Sequence, residues 1–475
     1  MAKEYKMLIG GRFVSASEKL EVLSPYDGKV VGTTTVCGDS EVEEALKTAH
    51  DSFAELKKLT AYQRADYIMK VADGLKKRAD EMAELICKES GKPITDARRE
   101  VGRGVTTFEI AAEETKRLNG VVTPLDIQAG AEGRTAIIER FPIGVIFGVS
   151  PFNFPLNLVA HKVAPAMASS NPIILKPAPK TPLSALLLAE IINKTGYPAG
   201  GVNVVNTSNE DAVKILEDSR VKKLTFTGSG PVGWMLKAKA NKKRVTLELG
   251  GNAGVIVDSD ADIETASTRC TVGAFSFSGQ VCISVQRIFV HKDIFEEFKN
   301  KFVEKVKALK VGNPLEDDTN IGPMIEEGAL ARTEEWVNEA VSEGAELLTG
   351  GKVKDKVFFE PTVLTNVKPE MKVCSEEVFA PLCVLVPFDD FEEAVRELDS
   401  SKYGLQAGIF TTDLKKAHYA YRNIEAGGII INDIPTFRVD SMPYGGVKES
   451  GFGREGIKNA ILEMTEEKVM VINLN

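Results

Sequence analysis

Runs of β-branched and other apolar residues alternate with amphipathic segments over most of this chain. From about residue 141 the pattern predicts strands and helices in turn. The strands are expected at 143–149, 172–176, 201–205 and 221–226, and the helices at 156–167, 182–195 and 210–218. Regular alternation of strand and helix indicates βαβ units and a mainly parallel sheet.

A second series of the same kind begins after residue 248. It predicts strands at 255–257, 287–290 and 384–388 and helices at 295–309, 332–343 and 391–398. Two α/β lobes therefore explain the pattern better than one. Residues 41–56 and 61–90 have the apolar spacing of long amphipathic helices, which we expect to wrap the first sheet. The segments 121–136 and 468–474 are predicted to be extended and exposed, and to pair with another part of the assembly.

The composition is that of a globular protein with more than one domain. At 475 residues, 43% of them hydrophobic and 27% charged, the chain is too long for one core, so two or three domains are expected. The net charge of −9 argues against a general nucleic-acid or anionic membrane surface. No apolar run reaches membrane-spanning length, and residues 1–7 contain no apolar signal region. We therefore expect a cytoplasmic protein that does not enter a membrane.

Six cysteines are scattered along the chain without a CxxC spacing or a neighbouring histidine cluster. This usage fits a reducing compartment and predicts neither a disulfide framework nor a metal site. Most cysteines are small buried apolar residues, and we expect that role for Cys37, Cys87 and Cys383.

Cys282 differs from these because it ends the turn Phe277-Ser278-Gly279-Gln280-Val281-Cys282. A turn supported by glycine exposes a side chain and aims backbone N–H groups at the atom it attacks, so Cys282 is a candidate nucleophile. A thiol with an ordinary pKa near 8.5 is only a few per cent ionised at pH 7. Catalysis therefore requires local activation, which the sequence does not show.

Glu248 lies 34 positions before Cys282, in Leu247-Glu248-Leu249-Gly250-Gly251, and two interpretations of it are open. A carboxylate near a thiol can activate water. Alternatively, Gly228-Ser229-Gly230-Pro231-Val232-Gly233 has the pattern of a dinucleotide-binding turn, and Glu248 lies 20 positions after Gly228, where that pattern expects an acid that binds ribose. Several βα units precede this turn, however, and the glycines after Glu248 lead toward Cys282. These two observations favour the catalytic interpretation.

Two further polar residues follow predicted strands. Asn153 lies in Ser150-Pro151-Phe152-Asn153-Phe154-Pro155, where asparagine is most often a turn former. Its alternative use is as an amide donor to a developing oxyanion, a contact worth roughly 2.7–4 kcal/mol. Lys176 leaves a strand beside Pro177; surface lysines are usually solvated, but the carboxyl end of a strand in an α/β sheet is where ligands bind.

Together these segments resemble the aldehyde dehydrogenase superfamily over nearly the whole chain. The resemblance begins at Ile9-Gly10-Gly11-Arg12-Phe13-Val14 and ends at Pro443-Tyr444-Gly445-Gly446-Val447-Lys448-Glu449-Ser450-Gly451. The motifs around Asn153, Lys176, Gly228, Glu248, Cys282 and Glu377 lie between, in the family's order. It implies two doubly wound lobes, a Rossmann-like cofactor domain and a catalytic domain, with a small β oligomerisation arm. The implied domains are 1–118 with 139–247 for the dinucleotide, 248–450 for catalysis, and 119–138 with 451–475 for the arm.

The resemblance also implies a role for each matching residue. Cys282 corresponds to the nucleophile and Glu248 to the general base, which decides between the two interpretations of that carboxylate. Asn153, with the backbone N–H of Cys282, corresponds to the oxyanion hole. The residues that correspond to cofactor contacts are Lys176, Gly228, Ser229, Gly233, Glu377 and Phe379.

One departure from the family pattern concerns the choice of cofactor. Relatives that prefer NAD often carry a glutamate three residues after the lysine, and Pro179 stands there in this chain, followed by Lys180. Without a carboxylate to repel a 2′-phosphate, and with two lysines near, we expect use of NADP as well as NAD.

The resemblance to lactaldehyde and non-phosphorylating glyceraldehyde-3-phosphate dehydrogenases suggests a substrate class. Arg103 and Arg438 match two arginines that hold the substrate phosphate in the latter enzymes. Val281 stands where those enzymes have another arginine, and Phe154 where they have a tyrosine, so half of an anion clamp is present. Arg103 also fits a solvated position on an exposed helix equally well. A small hydroxylated or anionic aldehyde, such as lactaldehyde, glyceraldehyde, glyceraldehyde 3-phosphate or a semialdehyde, is the expected substrate.

Two alternatives differ from a hydrolytic aldehyde dehydrogenase. A coenzyme-A-acylating semialdehyde dehydrogenase typically lacks the glutamate that this chain has as Glu248, and a non-catalytic binding relative is expected to lack Cys282 or Glu248. The resemblance further implies a homo-oligomer, either a dimer or a tetramer, built through the arm.

Overall fold

The computed structural model describes residues 3–474. Up to Glu248 the elements are β1 (Met7–Ile9), β2 (Arg12–Val14), β3 (Glu18–Leu23), β4 (Val30–Val36), α1 (Asp39–Leu56), α2 (Ala61–Lys77), α3 (Ala79–Ser90), α4 (Ile94–Lys116), β5 (Val121–Pro124), β6 (Arg134–Pro142), β7 (Val145–Val149), α5 (Asn157–Ala168), β8 (Ile173–Lys176), α6 (Leu183–Asn193), β9 (Val202–Val204), α7 (Asn209–Glu217), β10 (Val221–Thr227), α8 (Gly230–Lys239) and β11 (Arg244–Glu248).

After Glu248 a second set of elements follows, including one short 3₁₀ turn (Ser276–Gly279). They are β12 (Ala253–Val257), α9 (Ile263–Phe275), β13 (Val285–His291), α10 (Lys292–Lys307), α11 (Glu327–Ser342), β14 (Glu346–Thr349), β15 (Val353–Lys354), β16 (Phe358–Phe359), β17 (Thr362–Thr365), α12 (Lys372–Ser375), β18 (Leu382–Phe388), α13 (Phe391–Asp399), β19 (Tyr403–Gly404), β20 (Gln406–Phe410), α14 (Leu414–Asn423), β21 (Gly428–Ile431), β22 (Val447–Lys448), β23 (Gly451–Phe452), α15 (Ile457–Glu463) and β24 (Thr465–Asn473).

The first lobe is built on an eight-stranded sheet with the order β2-β1-β9-β8-β7-β10-β11-β23. Its five central strands are parallel and consist of buried apolar residues such as Phe147, Ile174 and Leu224, as expected when helices cover both faces. The second lobe has a seven-stranded sheet with the order β14-β17-β18-β13-β12-β20-β21, also mainly parallel. The predicted fold of two α/β lobes is confirmed.

The strand order of the first sheet brings several of the predicted site residues to one edge. The strands β8, β7, β10 and β11 are parallel neighbours, so their carboxyl ends lie side by side. Lys176 and Glu248 end two of these strands, and the turns that carry Asn153 and Gly228 follow the other two. This edge is where ligands of open α/β sheets bind.

A separate three-stranded antiparallel sheet has the order β24-β6-β5. Val469, Met470 and Val471 on β24 are exposed, and so are Val121 and Val122 on β5. The prediction of extended chain over 121–136 holds only at its two ends, because β5 stops at Pro124 and β6 starts at Arg134.

Two further predictions differ from the structure. One helix over 61–90 is wrong, because α2 and α3 are separated at Arg78, whose guanidinium binds Glu190 of α6 (3.0 Å) as well as Glu81 (2.7 Å). Within the segment 451–475, β23 pairs with β11 and α15 packs into the core of the first lobe, so only β24 belongs to the three-stranded sheet. The remaining domain boundaries stay predictions.

No helix within residues 3–474 is both long enough and apolar enough to cross a membrane.

Candidate active site

A cavity of about 400 Å³ lies between the two lobes at the edge of the first sheet. It is lined from the first lobe by Asn153, Gly228, Ser229 and Glu248, and from the second lobe by residues of the nucleophile turn and of the segment after α12. Seven predicted site residues therefore share one cavity: Asn153, Gly228, Ser229, Glu248, Cys282, Glu377 and Phe379.

The turn that carries Cys282 has a strained backbone. Phe277 and Ser278 have φ angles of 48° and 55°, in the left-handed region that side chains other than glycine rarely adopt, at a cost of about 1–3 kcal/mol each. Gly279 follows at φ 68°, where an added Cβ would lie 2.0 Å from the Ala380 carbonyl oxygen. The Ser278 hydroxyl donates to the carbonyl oxygen of Gly322 at 2.8 Å. This turn is held by its surroundings, which keep the thiol at a defined place.

The Cys282 thiol meets the hydroxyl of Tyr444 at an Sγ–Oη distance of 3.4 Å. Burial raises the pKa of Cys282 to about 11, and the hydrogen bond with Tyr444 acts in the opposite direction. The thiol is therefore protonated at neutral pH in this state. Tyr444 is a site residue that the sequence interpretation missed, although it lies within the Pro443-Tyr444-Gly445-Gly446 segment that marks the family resemblance.

Asn153 is buried and faces the nucleophile turn. Its Nδ2 donates to the carbonyl oxygen of Gln280 at 2.9 Å, which ties the amide to the turn two residues before Cys282. An amide NH₂ has two donors, so a second N–H remains for an oxygen in the cavity. The Oδ1 of Asn153 has no hydrogen-bond partner among residues 3–474, because the contact with Gln280 involves only the amide nitrogen.

Glu248 ends β11 as a buried carboxyl group whose two oxygens have no hydrogen-bond partner within the described part of the chain. Burial raises the pKa of Glu248 well above its ordinary value, and the negative charge of Glu455 adds to the shift. The shift favours the protonated form of Glu248, and the group can accept a proton from water once it is ionised.

A network of buried charges lies behind Glu248. Lys162 on α5 donates to Thr227 (2.7 Å) and to Glu455 (3.1 Å). Burial alone would raise the pKa of Glu455, but the positive charges of Lys162 and Arg438 outweigh it and lower the pKa. Lys162 and Glu455 were not identified from the sequence, because they are 293 positions apart and carry no local motif.

The predicted substrate arginines are close to one another but do not line the cavity. Arg103 donates to Asp440 (2.8 Å), whose carboxylate also binds His161 (2.8 Å). Arg438 lies 3.5 Å from the same histidine and stacks 3.7 Å above the ring of Tyr444. Internal partners therefore already engage both guanidinium groups.

Phe154 and Val281, the other two predicted substrate residues, are partly exposed beside this network. Phe154 makes an edge-on contact with Phe277, with ring centroids 6.5 Å apart. Val281 packs against Ile283, Leu405 and Tyr444.

The glycines after Glu248 let two segments approach the sheet edge. An added Cβ on Gly251 would lie 2.3 Å from the carbonyl oxygen of Cys282, so only glycine fits under the nucleophile. The Gly251 N–H donates to Glu377 at 3.0 Å. Burial raises the pKa of Glu377 to about 7, and that hydrogen bond lowers it in part. Phe379 makes an edge-on contact with Phe152 at 6.0 Å across the same cavity.

The first-lobe side of the cavity has the features of a dinucleotide site. Ser229 is the N-cap residue of α8, and its side chain forms no capping hydrogen bond. The backbone N–H groups at a helix N-terminus bind phosphate. Lys176 is buried and forms no ion pair within residues 3–474, and burial lowers its pKa. A buried cation without a partner fits a polar cofactor group. Pro179, three residues after Lys176, is exposed. Gly233 on α8 is buried against the side chain of Leu249.

Comparisons with known proteins agree with this geometry. The family model described as the aldehyde dehydrogenase family matches residues 13–470. A 3-sulfolactaldehyde dehydrogenase of Priestia aryabhattai is 45% identical over 99% of this chain and 98% of its own length.

Two solved structures are also similar. Aldehyde dehydrogenase 21 from Physcomitrella patens, in complex with the reaction product succinate, has a TM-score of 0.98 and 46% identity over 100% of this chain and 99% of that one. The glyceraldehyde-3-phosphate dehydrogenase of Methanocaldococcus jannaschii complexed with NADP has a TM-score of 0.92 and 38% identity over 96% and 99% of the two chains. This chain therefore belongs to the aldehyde dehydrogenase family and is an oxidoreductase that acts on aldehydes.

Proposed function

We propose that this protein oxidises a small anionic or hydroxylated aldehyde to its carboxylic acid, with NADP or NAD as the acceptor, through a thiohemiacetal and a thioester on Cys282. The observation that carries the proposal is the shared cavity, in which the thiol of Cys282, the amide of Asn153 and the carboxyl group of Glu248 converge. Each of these groups brings a hydrogen-bonding or nucleophilic atom to the lining of this cavity.

In the first half of the reaction the proton of Cys282 passes to solvent water, and its sulfur bonds to the aldehyde carbon. The carbonyl oxygen becomes an oxyanion, which the free N–H of Asn153 and the backbone N–H of Cys282 stabilise. A nicotinamide ring bound in the cavity would accept a hydride from this carbon, and a thioester on the sulfur would remain. Glu377 and Phe379 would hold the nicotinamide riboside, and Lys176 and Ser229 the other end of the cofactor.

In the second half Glu248 removes a proton from water, whose oxygen bonds to the thioester carbon. The carbon–sulfur bond then breaks, the acid leaves, and the electron pair returns to Cys282 as thiolate. The carboxylate supports hydrolysis over the coenzyme-A-acylating alternative, in which a thiol replaces water and no such base is needed.

The substrate class is supported by what the similar proteins have in common. Their names refer to a sulfonated aldehyde, to succinate and to a phosphorylated aldehyde, all of which join a short carbon chain to an anionic group. We assign the substrate anion to Arg103 and Arg438, which do not line the cavity themselves, because the family resemblance matches them to that role. Each arginine would exchange an internal partner for the substrate anion.

Substitution of Glu248 by glutamine tests the chemistry. The Glu248→Gln variant should release one equivalent of reduced cofactor per subunit in a burst and then stall as an acyl-enzyme, whose mass exceeds that of the free chain by the acyl group. Glu377→Gln serves as the control, because it should weaken cofactor binding without stalling at the thioester. Steady turnover of Glu248→Gln at the wild-type rate would contradict the assignment of the base.

We further infer a cytoplasmic homotetramer or homodimer assembled through the β24-β6-β5 sheet. The exposed apolar side chains of β24 support this inference, since an unpaired edge with Val469 and Val471 exposed would otherwise promote aggregation. Light scattering of the wild type and of Val471→Lys tests it. A wild-type mass of a single chain would contradict it.

A further inference from the structure

Behind the nucleophile turn lies a wholly buried lysine that no step of the reaction uses. Lys92 follows α3 and the left-handed Gly91, and its side chain is 1% exposed. Its Nζ lies 3.8 Å from the centroid of the Phe154 ring and 4.6 Å from that of the Phe277 ring. Phe154 adjoins Asn153, and Phe277 begins the turn that ends in Cys282. One ammonium group therefore contacts both loops that build the oxyanion hole.

The counter-ion of Lys92 is attached to the same structure. Glu100 on α4 pairs with Lys92, and its other oxygen accepts the backbone N–H groups of Leu156 (3.0 Å) and Asn157 (3.1 Å). These N–H groups begin α5, directly after the Asn153 turn. The Lys92–Glu100 pair therefore fixes that turn from two sides, through the Phe154 ring and through the helix that follows.

We propose that Lys92 is a positioning residue that holds the Asn153 turn and the Cys282 turn at their working separation. Lys92 does not line the cavity, so it acts through the two aromatic rings. The strained φ angles of Phe277 and Ser278 explain why a restraint is needed there, because the turn would relax to ordinary φ angles without it. A cation can hold the two turns together in a way that an apolar side chain cannot, because it attracts the faces of both aromatic rings. The proposal rests on the function proposed above, in which Asn153 and Cys282 act on one carbonyl group.

The test uses the full-length protein and a double variant, Lys92→Met with Glu100→Gln, which removes both charges together. The Glu100→Gln change retains a side-chain oxygen for the Leu156 N–H, and no buried charge is left alone. The readouts are kcat and KM for aldehyde and NADP, the melting temperature, and the rate at which iodoacetamide alkylates Cys282. The other five cysteines are buried, so alkylation reports this thiol.

We expect kcat to fall about tenfold or more, as for a small misplacement of reacting groups, while KM for NADP stays within about twofold. Alkylation should become faster, by about fivefold, because a loosened turn exposes the thiol and its pKa falls toward the ordinary value. Lys92→Arg should restore kcat to within about threefold of wild type, since guanidinium also binds aromatic faces. Lys223→Met, which removes another buried lysine on β10, is the control and should change only the melting temperature.

A lower melting temperature with unchanged kcat and unchanged alkylation would overturn the proposal and leave Lys92 a purely structural residue. If the double variant does not fold, Phe277→Leu removes one ring contact instead, and a wild-type kcat with wild-type alkylation in that variant also overturns it. Alkylation requires no substrate. If the wild type oxidises no aldehyde, the proposed function fails while the effect of Lys92 on Cys282 is still measured.

Discussion

Replacing Tyr444 by phenylalanine removes one hydroxyl group beside the nucleophile and leaves the ring in place. The hydroxyl lies 3.4 Å from Sγ of Cys282, and the ring supports Arg438 at 3.7 Å. Phenylalanine keeps the ring contact, so the substitution separates the hydrogen bond to sulfur from the packing. A thiolate gains more from a donor than a thiol does, and the variant should therefore have a higher pKa at Cys282.

The size of this effect follows from the bond that is lost. A hydrogen bond to a charged group contributes about 1.5–3 kcal/mol, and one pKa unit corresponds to about 1.4 kcal/mol, so the pKa of Cys282 should rise by about one to two units. The starting pKa is about 11, so the thiolate fraction at pH 8 falls from about one in a thousand by a further ten- to hundredfold. A thiolate of higher pKa is also a stronger nucleophile, and this offsets about half of the decrease in alkylation rate on a logarithmic scale. The alkylation rate should fall about three- to tenfold.

The assay is alkylation by excess iodoacetamide between pH 7 and pH 10, followed by the mass of the Cys282 peptide. Cys282→Ser gives the background rate, and Tyr421→Phe, at an exposed tyrosine, gives the matched control. Equal rates for Tyr444→Phe and wild type over this range would refute the hydrogen bond as a stabiliser of the thiolate. A faster rate in the variant would show that the hydroxyl acts as an acceptor from the thiol and holds it protonated.

Three further predictions concern the cofactor, the substrate and the pH dependence. Lys180 pairs weakly with Glu326 (3.7 Å) at the exposed rim of the cavity. Lys180→Ala should therefore lower kcat/KM for NADP about three- to tenfold without affecting kcat/KM for NAD, and Glu326→Gln should raise kcat/KM for NADP by up to about fivefold. An unchanged ratio of the two kcat/KM values in steady-state kinetics would contradict this. Arg103→Ala and Arg438→Ala should raise KM about tenfold or more for succinate semialdehyde, and less for butanal, a neutral aldehyde of equal length. Equal increases in KM for the two aldehydes would exclude the anion clamp. Hydrolysis of the acyl-enzyme should accelerate as pH rises above the range in which an ordinary glutamate ionises, because the raised pKa of Glu248 delays formation of its basic form. Glu248→Gln should show no such rise in single-turnover experiments.

The sheets could be predicted from the sequence because their signal is local. Each buried parallel strand, such as Val221–Thr227, is a short apolar run between turn residues, and the helices between strands have regular apolar spacing. The break at Arg78 has no such local signal, and the contact of Arg78 with Glu190 joins residues that are distant in sequence. The same reasoning applies to the site. Cys282, Glu248 and Asn153 lie in recognisable sequence motifs, whereas Tyr444, Lys162 and Lys92 make their contacts only after folding.

The electrostatics of the site show most clearly what a sequence motif leaves out. Burial raises the pKa values of Cys282, Glu248 and Glu377, so each of these acids favours its neutral form in the cavity. Neighbouring anions would repel one another there, and the nearby cation Arg438 is engaged with His161 and Tyr444. A positive charge in the cavity, such as that of a bound oxidised nicotinamide ring, would therefore favour ionisation of the thiol. In the proposed reaction, ionisation of Glu248 would be favoured once the thiolate charge has been consumed by the aldehyde. The proposed order, with Cys282 acting first and Glu248 second, is thus consistent with the mutual repulsion of their charges. The distance between the two residues along the chain does not reveal this repulsion.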